Sequence, residues 1–108
     1  MYTTMDKDQL QLETKIFKGL GDQSRLHILH VLAEEPKTVS DIVEVTQLSQ
    51  PNVSMHLACL LDCGLVKREK QGRQVYYRTA TAEIEAILAS ARTILQEHAK
   101  EIYDCTRY

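Results

Sequence analysis

The chain has 108 residues, 44% of them hydrophobic and 26% charged, with a formal net charge of −2. That length supports one modest core, small enough to gain from dimerisation, and the composition is that of an ordinary folded protein, which excludes a disordered polymer. The longest apolar run falls far short of the roughly 20 residues of a membrane span, and Met-Tyr-Thr-Thr-Met-Asp-Lys-Asp at the start lacks the basic-then-apolar pattern of a secretion signal.

Taken in chain order, residues 8–20 place Leu12, Ile16 and Leu20 at helical spacing with Phe17 beside them, and Gly19 and Gly21 loosen the end. Asp22 is positioned to cap a second helix through Glu34, with Leu26, Leu29 and Leu32 inward and Pro36 as its stop. Thr38-Val-Ser-Asp41 has the Thr-x-x-acid form of a helix start. It opens a short helix to Thr46 that carries Val39, Ile42, Val43 and Val45. Ser49 is a further cap, Pro51 is tolerated in the first turn, and the next helix runs to Cys63 before Gly64. Two short helices joined by a tight turn make a helix-turn-helix.

Leu65 to Lys70 and Arg73 to Thr79 read as two strands around Gln71-Gly72, the hairpin that makes a wing. A last helix, Thr81 to Tyr103, carries Ile84, Ile87, Leu88, Ala91, Ile94, Leu95 and Ile102. That stripe exceeds what one small domain covers. The surplus is expected to form a dimer seam with the first helix, the alternative being a helix folded back on its own core. The expected fold is therefore mainly α with a small β-hairpin, a winged helix-turn-helix over residues 1–108, dimeric through its terminal helices.

The net charge does not advertise nucleic-acid binding, but charge is segregated. Residues 67–78 hold Lys67, Arg68, Lys70, Arg73 and Arg78 against the single acid Glu69, and phosphates are met by one face. Gln50, Asn52, Ser54 and His56 occupy the start of the second helix-turn-helix helix, where such proteins touch base edges of double-stranded DNA. Gln and Asn pair with adenine, whereas Ser54 has the alternative of bonding only the backbone and His56 of packing beneath the helix. Lys70 and Arg73 at the wing tip are expected on phosphate or in the minor groove. His27, His30 and His98 read as ordinary histidines. Without a nucleophile–base pair, a phosphate loop or a Gly-rich cofactor motif, the chain does not read as an enzyme.

Cys59 and Cys63 lie four apart on that same helix, on one face and roughly 6 Å apart at Cβ, and Cys105 stands near the chain end. An odd number of cysteines argues against a disulfide framework, in keeping with a cytoplasmic location where thiols stay reduced. Thiolates select soft metals, and three sulfurs without a fourth ligand suit open coordination better than structural zinc. Cadmium, lead, mercury and trivalent arsenic fit that chemistry. Packing at the edge of the core is the alternative for Cys59 and Cys63, and a roleless tail residue the alternative for Cys105.

Gly-Asp-Gln-Ser-Arg-Leu-His-Ile-Leu (21–29), Leu-Ser-Gln-Pro-Asn-Val-Ser-Met-His-Leu (48–57) and Gly-Leu-Val-Lys-Arg-Glu-Lys-Gln-Gly-Arg-Gln-Val-Tyr-Tyr (64–77) together carry a resemblance. By order and spacing the chain resembles the ArsR–SmtB family of metal-responsive winged-helix repressors over nearly its whole length. Cys-x-x-x-Cys-Gly-Leu-Val with a third cysteine in the tail is similar to the cadmium- and lead-sensing CmtR group. The resemblance implies a homodimer that binds operator DNA without metal and releases it when cadmium or lead binds Cys59, Cys63 and Cys105. The family's Cys-Val-Cys motif has no match in residues 34–43, and its zinc site on the last helix maps onto Thr81, Glu83, Ile94 and Glu97, of which only Glu97 keeps its type. Two other readings use the same residues: a redox or persulfide sensor working through its thiols, and a metal-buffering protein without a DNA role.

Overall fold

The computed structural model describes residues 6–107. Four of its helices begin at a side chain that satisfies a free backbone donor. Asp6 accepts the N–H of Gln9 at 2.8 Å and opens α1 (Lys7–Leu20). Asp22 accepts the N–H of Arg25 at 3.0 Å and opens α2 (Gln23–Glu34). Thr38 and Asp41 exchange bonds as a full capping box at the head of α3 (Val39–Thr46), and Ser49 accepts from Asn52 to start α4 (Gln50–Asp62). The last helix, α5 (Ala82–Asp104), follows Thr81 without a side-chain cap bond.

Between α4 and α5 the chain turns back on itself as an antiparallel pair, β1 (Val66–Gln71) and β2 (Gln74–Thr79), in register from Val66–Thr79 to Gln71–Gln74. Gly72 takes φ 63° in the two-residue turn, a setting without steric cost only for glycine. Arg73 therefore belongs to the turn, not to the second strand where its position in the sequence put it. One feature of the sheet has no signature in the sequence. Lys37, between α2 and α3, donates to the Tyr77 carbonyl at 3.0 Å and accepts from its N–H at 2.8 Å, tying the hairpin to the helical part.

The core is built from Ile28, Leu29 and Leu32 of α2, Ile42 of α3, and Val53, Leu57 and Leu60 of α4, closed by Leu65, Val66 and Tyr77 of the hairpin and Ile84 and Leu88 of α5. Of the three residues expected inward on α2, Leu29 and Leu32 are buried and Leu26 is half-buried, while Ile28 and Val31, not expected there, are buried too. Val45 is 53% exposed and does not join the inward face of α3. Gly19, expected to loosen a helix end, is buried inside α1, and a Cβ there would stand 2.9 Å from Leu65 Cδ1. It is a close-packing residue. Arg25 then joins α1 to α2: its Nε donates to the Gly19 carbonyl at 3.0 Å and its Nη2 to the Lys18 carbonyl at 3.1 Å, both among the last carbonyls of α1, which lack α-helical partners.

These elements make a winged helix-turn-helix, mainly α with one hairpin. Only the first turns of α5 reach the core. Ile94, Leu95 and Ile102 are exposed, as are Leu10, Leu12, Ile16 and Phe17 of α1, and the helical geometry of α5 breaks at His98 (φ −130°, ψ 25°). No helix among the described residues is long and apolar enough to cross a membrane.

Two stability predictions follow from local chemistry. Removing the α2 cap with Asp22→Ala should lower stability by about 1 kcal/mol in urea unfolding. His30 Nδ1 lies 3.1 Å from Arg92 Nη2 between α2 and α5; guanidinium only donates, so the ring accepts as neutral imidazole. Burial first, then the Arg92 charge, holds His30 below its ordinary value of 6.5. The unfolded chain therefore takes up this proton before the folded one, and stability falls as pH drops below that value. The urea midpoint should decline between about pH 7 and pH 5, with a shallower slope in His30→Gln.

Candidate functional site

The rotation of α4 is set by Val53, Leu57 and Leu60, which are 0%, 1% and 0% exposed, packed on α2, α3 and β1. Leu61 is half-buried at the edge of that stripe. The opposite side of the helix is left to solvent. Gln50 and Asn52 stand exposed at its N-terminal end. Ser54 is half-buried and its hydroxyl accepts from Gln50 Nε2 at 3.1 Å. His56 is also half-buried and lies near Asp22. The Arg25 backbone N–H above all, with smaller contributions from the Arg25 and His56 charges, keeps the Asp22 carboxyl below the usual carboxylate range. The four polar residues named from sequence thus divide into an exposed pair and a half-buried pair. Reasoning from sequence passed over Met55, 59% exposed and on the outermost line of the helix; a turn of ~100° per residue away from the buried stripe would have found it.

The hairpin brings its cations to the surface. Lys67, Arg68, Lys70, Arg73 and Arg78 are all exposed, and among the described residues none of them is in a salt bridge. The wing's own acid, Glu69, accepts from Gln71 at 3.1 Å. Lys67 stands directly across from Arg78 in the ladder, a like-charge pairing that costs stability on its own and that an anion relieves. Such a surface is suited to phosphates.

Cys59, Cys63 and Cys105 are all free and exposed. Cys63 closes α4, its N–H donating to the Cys59 carbonyl at 3.1 Å, so the two thiols occupy successive turns of one face. Gly64 at φ 75° then turns the chain toward the wing. Cys105 follows α5, its N–H bonded to the Glu101 carbonyl at 3.1 Å. Among the described residues no three His, Cys, Asp or Glu side chains gather around one point within the chain. The structure brings Cys59 and Cys63 together and does not bring Cys105 to them. The donor chemistry of the exposed pair nevertheless fits a soft ion.

An exposed helix with a polar tip, followed by a cationic hairpin, defines a winged helix-turn-helix regulator. The sequence pattern of the bacterial regulatory protein, arsR family, matches residues 22–68. A probable mercury resistance operon repressor from Streptomyces lividans is 32% identical over 86% of this chain and 74% of its own length. The arsenical resistance operon repressor of Bacillus subtilis is 36% identical over 79% of this chain and 85% of its own. A solved homodimeric winged helix-turn-helix DNA-binding domain from Mycobacterium bovis superposes with a TM-score of 0.80 at 27% identity, covering 94% of this chain and 95% of that one. The chain belongs to the arsR family.

With all three thiols exposed, a disulfide reagent added to native, reduced protein should modify all three cysteines without denaturant. A thiol that reacts only after unfolding would show that the exposed arrangement is wrong at that position.

Proposed function

We propose that the protein is a transcriptional repressor that binds double-stranded operator DNA as a metal-free homodimer and releases it when a soft metal ion, cadmium or lead, binds Cys59, Cys63 and Cys105. The observation that carries this is the shared exposed side of α4, with Asn52 at one end and Cys59 and Cys63 at the other, while Gln50 stands exposed at the helix start. In this reading Gln50, Asn52, Ser54 and His56 meet the major groove, while Lys70 and Arg73 meet the backbone. Ser54 and His56 contribute mainly by holding Gln50 and the helix start in place, since both are half-buried.

The homodimer is supported by the apolar side chains that α1 and α5 leave exposed, Ile16, Phe17, Ile94 and Leu95 among them, and by the homodimeric Mycobacterium bovis domain. Residues 1–108 then act as one DNA-binding domain with dimerising ends, working in the cytoplasm where its thiols stay reduced. Because Cys105 is not grouped with the other two within a chain, a dimer supplies the third thiolate from the partner subunit. Relatives named for mercury and arsenical resistance support a thiophilic inducer, and Cys-x-x-x-Cys-Gly-Leu-Val with its tail cysteine favours cadmium or lead.

Bound there, a soft ion joins the C-terminal end of α4 to the chain's tail. The helix is continuous from Gln50 to Asp62, so a shift imposed at Cys59 and Cys63 is felt at its base-reading end. Coupling of ~1–3 kcal/mol between two such sites changes DNA affinity roughly 5–150-fold, and DNA weakens metal binding by the same factor.

The test is an anaerobic cadmium titration of reduced protein, followed by the ultraviolet thiolate-to-metal band. The expected result is a tight endpoint near one ion per subunit that weakens in Cys105→Ser, with cadmium releasing a duplex whose binding falls steeply with salt. No tight endpoint removes the metal role. Release by oxidant alone supports thiol-redox sensing instead, and salt-independent or absent duplex binding removes the DNA role.

A further inference from the structure

Among the described residues, Met55 is the only large apolar side chain that α4 leaves exposed, at 59%. Its neighbours on that side are small apart from one amide: Pro51 and Asn52 before it, Ala58 and Cys59 after it. The core does not need it there, because Val53, Leu57 and Leu60 already fill the buried side. Nor is it with the other exposed apolar residues of the terminal helices, since α4 packs on α2, α3 and β1. A large, unbranched thioether left exposed among small side chains, beside the polar Asn52, therefore calls for a partner with an apolar point of its own.

A major groove offers one such point. Every base pair presents donors and acceptors there, but the thymine C5-methyl is the apolar group that distinguishes A·T. We infer that Met55 is a specificity-determining residue whose side chain covers a thymine methyl in each operator half-site. This rests on the reading of α4 as the base-contacting helix given under Proposed function. Met55 lies one turn beyond Pro51 and one turn before Cys59, on the same outward line as Asn52. Asn52 supplies hydrogen bonds and Met55 supplies the apolar contact. A flexible thioether adapts to a methyl without demanding one geometry. Burying one methyl is worth a factor of about four per half-site, and so about fifteen for a two-fold site.

The experiment uses full-length, metal-free protein. Duplexes are selected from a random-sequence library, and each thymine of the selected half-site is replaced in turn by deoxyuridine, which removes the methyl and nothing else. Wild type is expected to lose about four- to fifteen-fold in affinity at one such position. Met55→Ala is expected to bind the thymine duplex more weakly and to bind the thymine and deoxyuridine duplexes equally at that position. Its unfolding midpoint in urea should match wild type, since the side chain is exposed. The inference is overturned if Met55→Ala keeps the full thymine preference at every position, or if the selected half-site holds no thymine. A wild-type protein that enriches no sequence overturns the DNA-binding reading and this inference with it. A selected sequence indifferent to deoxyuridine overturns the inference alone.

Discussion

The burial of Val53, Leu57 and Leu60 is the constraint from which the rest of the molecule's surface follows. Each is 1% exposed or less, and each contributes about 1.5–3 kcal/mol by leaving water. Turning α4 by one residue, ~100°, would carry all three out of the core and bring in either Asn52, His56 and Cys59 or Ser54, Ala58 and Leu61. No other rotation of the helix is accessible at that cost. The outward row, from Asn52 through Met55 to Cys59 and Cys63, is consequently as fixed as the core is. Its members need no interactions of their own to hold their direction, which leaves them free to make contacts with something else.

Both ends of α4 are built to transmit that setting. At the front, Gln47 takes the left-handed region (φ 62°) with its N–H on the Val43 carbonyl at 2.8 Å. Its side chain reaches the Glu44 carbonyl at 2.6 Å, so α3 passes to the Ser49 cap in a very short turn. At the back, the Leu65 N–H donates to the Leu60 carbonyl at 2.9 Å across Gly64, and Leu65 and Val66 are buried as β1 begins. The thiol pair therefore sits at the joint where the helix meets the wing. Under the proposed function, a ligand held there would act on both DNA-contacting elements together.

Much of this was legible in the sequence, because caps and turns are short-range chemistry. Asp22, Thr38 with Asp41, Ser49 and Gly64 each satisfied or ended a helix where their residue types predict. The misses are long-range. Gly19 read as a helix loosener because its partner, Leu65, is distant in sequence. The Lys37–Tyr77 bridge joins residues with no shared pattern. Val45 continued an apolar run by type yet faces water, since the short α3 has room for few inward positions. The break in α5 at His98 has neither Pro nor Gly to announce it. At the site, residue type identified the thiols and the polar tip, while burial alone separated exposed Asn52 from half-buried Ser54 and His56 and brought Met55 into view.

The third thiol and the exposed terminal helices belong to one question. Within a protomer Cys105 stands apart from Cys59 and Cys63, and α1 and α5 carry apolar side chains that a lone protomer leaves in water. A dimer answers both. If the partner's tail completes the thiolate set, metal binding and subunit association become linked, because an ion that bridges two chains binds the dimer and not the monomer. Under the proposed function, DNA with two half-sites would be linked to the same dimer. Metal then gives no advantage to dissociated subunits, and loss of DNA must come from a change in how the two α4 helices are disposed, not from the dimer falling apart. Under the proposed function the regulatory free energy would then lie in the geometry between subunits, while the buried stripe keeps each α4 rigid within its own.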